Sequence, residues 1–171
     1  MIDLAGKIRA VPDFPQPGIV FRDIMPLLAD AEALGETVTR LATWSAERRP
    51  DLILGAEARG FILGAAIACE VGCGFVAARR PGKLPPETVS ATYALEYGHN
   101  SLELHPDAIA PGARVVIHDD VLATGGTVEA ISGLVRQLRG EVVGAAFIIE
   151  LEFLRGRERL DGIDITSLIT Y

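Results

Sequence analysis

The sequence predicts an α/β protein built on a parallel sheet with helices on both faces. Three observations predict it. First, Val115-Val-Ile117 is a continuous apolar, β-branched run, as in a strand covered on both faces. Second, apolar runs alternate with helical spacing along the chain, which implies parallel strands joined by crossover helices. Third, the run at 115–117 leads through Asp119-Asp120 into Ala123-Thr-Gly-Gly-Thr127, a small-residue turn that opens a helix. Such turns lie at the carboxyl edge of the sheet, where open α/β folds bind ligands.

Taken in order, residues 3–10 read as a short helix, followed by the Pro-punctuated segment Val11-Pro-Asp-Phe-Pro-Gln-Pro-Gly18. Residues 19–23 suit a short strand or an extended arm. A helix over about 31–48 follows from Leu34, Val38, Leu41 and Ala42 at helical spacing. Residues 52–55 form a buried strand, 60–70 a small-residue helix, and 75–78 another strand ending in the basic turn Arg79-Arg-Pro-Gly-Lys83. Residues 84–100 carry Pro85-Pro86 and then alternating, less apolar sequence, a long excursion of the kind that often serves as a lid. Residues 102–104 return as a strand. The strand at 114–118, a helix over 127–139, a strand over 142–151 and a last strand near 165–169 complete the chain. No repeat or linker divides it, so 1–171 reads as one domain.

With 49% hydrophobic, 23% charged and 6% aromatic residues, the chain can bury a real core without staples. A net charge of −7 with no basic stripe argues against a nucleic-acid partner. Only Lys7 and Lys83 among the 16 basic residues are lysines, so arginine supplies most of the anion-binding capacity. Cys69 and Cys73 have no His or further Cys at metal-ligand spacing and read as core thiols of a reducing cytosol. Charged residues interrupt every apolar stretch well short of a membrane span, despite a mean hydropathy of +0.30. A cytoplasmic protein without a membrane partner is expected. His99, His105 and His118 lack useful partners by spacing and read as core or surface histidines.

The turn at 123–127 has the chemistry of a phosphate cradle. Free N–H groups and the helix dipole converge on an anion, and glycines let the backbone come close. The bland alternative is an ordinary strand–turn–helix junction. Two acids and Thr-Gly-Gly-Thr at this spacing, with each residue at ~6% usage, would arise by chance in on the order of one chain in 10^5. Acids beside a phosphate loop repel phosphate unless they address something else, and a diol or a divalent cation fits. The pair therefore suits a sugar phosphate. This segment resembles the phosphoribosyl-diphosphate (PRPP) signature of type I phosphoribosyltransferases. The resemblance implies that Asp119 and Asp120 hold the ribose hydroxyls, while Ala123, Thr124, Gly125, Gly126 and Thr127 hold the 5′-phosphate. His118 stands where the family usually has an aliphatic residue, and Val121 where it often has Leu.

Other segments extend the likeness. Gly55-Ala-Glu-Ala-Arg-Gly-Phe61 is a second small-residue junction with one arginine; by physics a capped turn explains it as well as an anion loop does. It resembles the pyrophosphate loop of the adenine-using members, which implies pyrophosphate contacts from Ala58 and Arg59. Arg79, Arg80 and Lys83 of the basic turn, alone a solvated cluster, then read as a pyrophosphate clamp, with Arg79 and Lys83 as the pyrophosphate contacts. Ala91-Thr-Tyr-Ala-Leu-Glu-Tyr-Gly98 resembles the family's flexible lid, which implies closure by Tyr97 and handling of the purine N9 proton by Glu96. Spacing alone does not separate Glu96 from Glu87 or Glu103. Phe14-Pro-Gln-Pro-Gly-Ile-Val-Phe-Arg-Asp-Ile24 could be ordinary arm packing or a wall for a flat heterocycle. It is similar to the family's hood, which implies adenine contacts from Val20, Phe21 and Arg22, with Leu151 on the other ring face. Met25 replaces a residue that is usually small and polar.

The resemblance thus implies a type I phosphoribosyltransferase fold with a small N-terminal hood at about 11–25 and a lid at about 80–102. It implies a pentosyltransferase of purine salvage that joins adenine to PRPP with Mg2+, giving AMP and pyrophosphate. Mg2+ would be held mainly through substrate oxygens and water rather than a protein cage. A homodimer is the family-level expectation. Two rivals differ in kind. Enzymes for the 6-oxopurines hypoxanthine, guanine or xanthine place a lysine near the penultimate strand, and 146–153 has none. A non-catalytic PRPP-binding regulator usually adds a DNA-binding segment, for which this chain has neither room nor charge.

Overall fold

A computed structural model describes residues 2–94 and 99–171, without the side chains of Ala94 and His99. Five strands form one parallel sheet: β3 (Leu52–Ala56), β4 (Gly74–Ala78), β7 (Arg114–Leu122), β8 (Glu141–Glu150) and β9 (Ile165–Thr170). Their spatial order is β4-β3-β7-β8-β9. The central strand explains its own apolar run. Val115 and Ile117 join the core on one face, and Val116 joins the core on the other. Alternating side chains of a strand covered twice must all be apolar.

Helices lie on both faces. Leu27 of α1 (Met25–Ala29), Leu41 of α2 (Ala31–Ala46), and Leu63 and Ile67 of α3 (Arg59–Val71) fill one side. Val128, Ile131, Leu134 and Val135 of α4 (Gly126–Gln137) fill the other. Each such fully buried side chain contributes roughly 1.5–3 kcal/mol. Local chemistry sets the helix ends. Asp30 caps α2, accepting from Glu32 N (3.1 Å) and Ala33 N (3.0 Å). Gly72, at φ +79°, ends α3 with its N–H on Ala68 O. Close helix–sheet approach at α3 depends on missing Cβ atoms. A Cβ on Gly64 would stand 2.8 Å from the Phe75 ring, and one on Gly55 would stand 2.7 Å from Gly60 O.

Three expectations change. Residues 3–10 are not a helix: a 3-10 turn covers Ala5–Lys7, then β1 (Arg9–Pro12) pairs antiparallel with β2 (Val20–Asp23). Eight residues are too few to hold a helix on propensity, and β2 supplies a strand partner instead. The segment at 84–100 is less of an excursion than expected. β5 (Val89–Ala94) pairs with β6 (His99–Leu104), and Leu102 and Leu104 are buried in the α4-side core. The signature strand does not stop at 118. It runs to Leu122 because β8 keeps pairing beside it, Asp119 with Phe147 and Val121 with Ile149.

Candidate active site

The acids therefore sit inside the carboxyl end of β7 rather than beyond it. Asp119 is half-buried, and its Oδ1 accepts from Asp120 N at 2.9 Å. Asp120 is 3% exposed. Arg59 Nε lies 2.9 Å from Asp120 Oδ2, yet that oxygen receives no hydrogen bond, so the pair is held by charge and not by an aimed N–H. Burial pushes the Asp119 carboxyl well above its usual range, and the neighbouring Asp120 charge adds to this. Burial also raises Asp120, with Arg59 opposing it. Two desolvated like charges are costly, and a fold gains nothing by juxtaposing them. Gly60 makes room: a Cβ there would lie 2.8 Å from His118 O and 3.2 Å from Asp119 Oδ1.

After β7, Ala123 is half-buried, Thr124 exposed, Gly125 and Gly126 buried and Thr127 half-buried. Gly125 takes φ +81°, and α4 starts at Gly126 with no side chain capping its first turn. The first-turn donors are thus available to an anion. One support was not foreseen. Gly156 O stands 2.6 Å from where a Gly125 Cβ would be, and a Cβ on Gly156 would in turn strike Ala123 O. The 3-10 segment Gly156–Arg159 is therefore a backbone buttress behind the loop. A cavity of about 370 Å³ lined by Thr124, Leu154, Arg155, Glu158 and Arg159 opens beside the loop.

Arg59 begins α3, preceded by exposed Ala58 and a cis Glu57–Ala58 peptide. Its guanidinium lies 5.3 Å from the Phe21 ring centroid, which links the anion loop to the hood. Arg79 is committed to Glu57 (Nε to Oε2, 3.0 Å), and Arg80 N donates to the same oxygen at 2.8 Å. That backbone bond, with Arg79 beside it, holds the Glu57 carboxyl below its usual range. Lys83 is exposed. Glu57 was invisible in the sequence as the organiser of this turn.

In the hood, Val20 is exposed, and Phe21 meets Phe14 edge-to-face at 5.3 Å. The Arg22 guanidinium lies 3.7 Å from the Tyr171 ring centroid. Leu151 is half-buried just past β8, its N–H on Leu122 O at 2.9 Å. Before it, Glu150 is held by Arg157 in two 2.7 Å bonds. A cavity of about 600 Å³ there is lined by Glu150, Glu152, Arg155, Arg157, Glu158 and Thr170, none of them an expected site residue. Glu96 and Tyr97 lie outside the described residues, as does the part of the expected lid between 95 and 98. His118 is buried with Nδ1 2.9 Å from Ala146 O and Nε2 unpartnered; burial lowers it to about 4, so it is neutral at pH 7. Among the described residues no three His, Cys, Asp or Glu side chains gather as metal ligands. Two adjacent carboxylates with an unbonded oxygen do suit a hard cation that brings its own water and substrate ligands.

A small-residue loop at a helix N-terminus, beside two acids at the carboxyl edge of a parallel sheet, gives this α/β fold the form of a sugar-phosphate site. More narrowly, the chain belongs to the phosphoribosyltransferase family: the phosphoribosyl transferase domain matches residues 28–167. An adenine phosphoribosyltransferase of Thermotoga maritima is 55% identical over 170 residues, covering 99% of this chain and 98% of that one. The crystal structure of adenine phosphoribosyltransferase from Thermoanaerobacter pseudethanolicus superposes with a TM-score of 0.96 at 52% identity, covering 99% and 98% of the two chains. The Saccharomyces cerevisiae enzyme, complexed with an imino-altritol bisphosphate and adenine, superposes with a TM-score of 0.91 at 36% identity, covering 97% and 96%.

Proposed function

We propose that this chain transfers the phosphoribosyl group of PRPP to adenine, giving AMP and pyrophosphate in purine salvage. The observation that carries the reading is the acid pair, buried Asp120 with its unbonded oxygen beside half-buried Asp119, between the Gly125–Thr127 loop and Arg59. Relatives that are adenine phosphoribosyltransferases at 51–55% identity over nearly the whole chain support adenine as the base.

In this reading adenine N9 bonds to the anomeric carbon as the bond to the pyrophosphate oxygen breaks, and the N9 proton passes to Glu96. Thr124–Thr127 hold the 5′-phosphate on the α4 dipole. Asp119 and Asp120 accept from the ribose hydroxyls, which gives Asp120 Oδ2 the donor it lacks. Ala58 N–H, Arg59, Arg79 and Lys83 meet the departing pyrophosphate, with Arg79 sharing its charge between Glu57 and the ligand. Val20, Phe21 and Arg22 face the base from the hood, and Leu151 faces it from the end of β8. Mg2+, when bound, supplies positive charge to the pyrophosphate oxygens, and Asp119 with Asp120 would hold it through water and substrate. Positioning and preorganised charge carry the rate. The segment at 80–102, with Tyr97, closes over the centre and excludes water. The chain acts as one domain, with the hood at 11–25, and we take it to work as a cytoplasmic homodimer. Free Cys69 and Cys73 fit a reducing compartment.

The test is product formation from PRPP with adenine, hypoxanthine, guanine and orotate side by side, with and without a chelator. AMP from adenine alone, abolished by the chelator and restored by Mg2+, is the expected result. Robust turnover of hypoxanthine, or none of adenine, refutes the assignment.

A further inference from the structure

Phe21 and Arg22 are neighbours on β2, so their side chains leave opposite faces of the hood. Both are engaged from outside the hood. Phe21 has the Arg59 guanidinium 5.3 Å from its ring centroid, while the Arg22 guanidinium lies 3.7 Å from the Tyr171 ring centroid. Tyr171 is itself fixed. Its N–H donates to Glu150 O (2.9 Å), its carbonyl accepts from Glu152 N (3.0 Å), and its half-buried ring packs on the α2–α3 side of the core. The residue those two bonds straddle is Leu151. One aromatic residue therefore grips the arginine of the hood with its ring and frames Leu151 with its main chain.

We infer that Tyr171 is a positioning residue for the base: its ring latches Arg22 and sets the spacing between the hood and the Leu151 end of β8. This rests on the adenine reading above. The two walls come from segments more than a hundred residues apart, and the β1–β2 hairpin is a two-stranded unit that is marginal without an external anchor. Arg59 anchors it on the side of the anion loop, and Tyr171 on the other. With its side chain held on Tyr171, Arg22 presents its main chain to the edge of the base at a fixed distance. Removing the ring frees the hood on the base side while leaving Asp119, Asp120 and the phosphate loop untouched.

The experiment compares Tyr171→Ala, Tyr171→Phe and wild type by steady-state kinetics and by amide hydrogen exchange over residues 20–23. Loss of a partly solvated cation–π contact is expected to raise the adenine KM roughly three- to tenfold. The PRPP KM and kcat should stay near wild type. Exchange at 20–23 should quicken in Tyr171→Ala, and Tyr171→Phe, which keeps the ring, should restore both readouts. Unchanged exchange in Tyr171→Ala overturns the inference. So does an adenine KM that does not move, or one that moves only together with the PRPP KM and kcat. A wild-type protein that ignores adenine would refute the assigned base instead, and exchange at 20–23 would still decide whether the latch exists.

Discussion

Replacing Asp120 by Asn separates what the acid pair does for folding from what it does for chemistry. Asp120 is 3% exposed, adjacent to Asp119, and has an oxygen without a hydrogen bond. Its one counter-charge among the described residues, Arg59 at 2.9 Å, has a side chain 38% exposed and so is screened by water. Losing that ion pair costs about 0–1 kcal/mol. Relief of the repulsion between the two neighbouring carboxylates acts in the opposite direction and offsets that loss. Stability should therefore stay within about 1 kcal/mol of wild type, a Tm shift of roughly 2–4 °C in either direction. Turnover should fall ~10^2–10^3-fold, or ~3–4 kcal/mol, as when one preorganised contact to the transition state is removed.

The pH dependence sharpens the test. Both acids have folded-state values raised above the ordinary 3.8, so the folded chain holds these protons more tightly than the unfolded chain. Their stabilising contribution is complete below about 3.8 and is lost as pH rises through the raised values. Asp120→Asn removes part of that term, so the variant should gain on wild type as pH climbs from acid to neutral. Calorimetric unfolding across that range, beside specific activity of the folded fraction, provides both readouts. Collapse of unfolding temperature with normal specific activity would mean that the pair is structural and the reasoning wrong.

Gly156→Ala should disturb the 123–127 loop from behind, because the new Cβ would strike Ala123 O and stand 2.9 Å from Leu122 Cδ1. Overpacking of this kind costs typically 1–3 kcal/mol, and the PRPP KM should rise while the adenine KM holds; an unchanged PRPP KM would free the buttress of any role. Glu96→Gln should keep PRPP affinity and lose turnover, measured by equilibrium binding beside kcat; full activity would remove Glu96 from proton handling. Amides over 80–94 should exchange more slowly with PRPP and Mg2+ bound, and identical rates with and without ligand would argue for a fixed hairpin instead of a lid.

Much of this protein was legible in its sequence because the information was local. The apolar run at 115–117 required a strand covered on both faces, and both faces are covered. Asp119, Asp120 and the 123–127 turn lie within one strand–turn–helix unit, so order along the chain fixed their proximity. What only the tertiary structure decided were meetings between distant segments. Arg59 comes to Asp120 across α3 and β7, Glu57 organises Arg79 and Arg80, Gly156 backs Gly125, and Tyr171 grips Arg22. The expected helix at 3–10 gave way to a 3-10 turn at Ala5–Lys7 and to the start of a strand at Arg9, because a partner at 20–23 was available, which periodicity over eight residues cannot reveal. Local sequence sets backbone preference and side-chain chemistry; which desolvated groups become neighbours is fixed only when the sheet order brings far-apart strand ends to one edge.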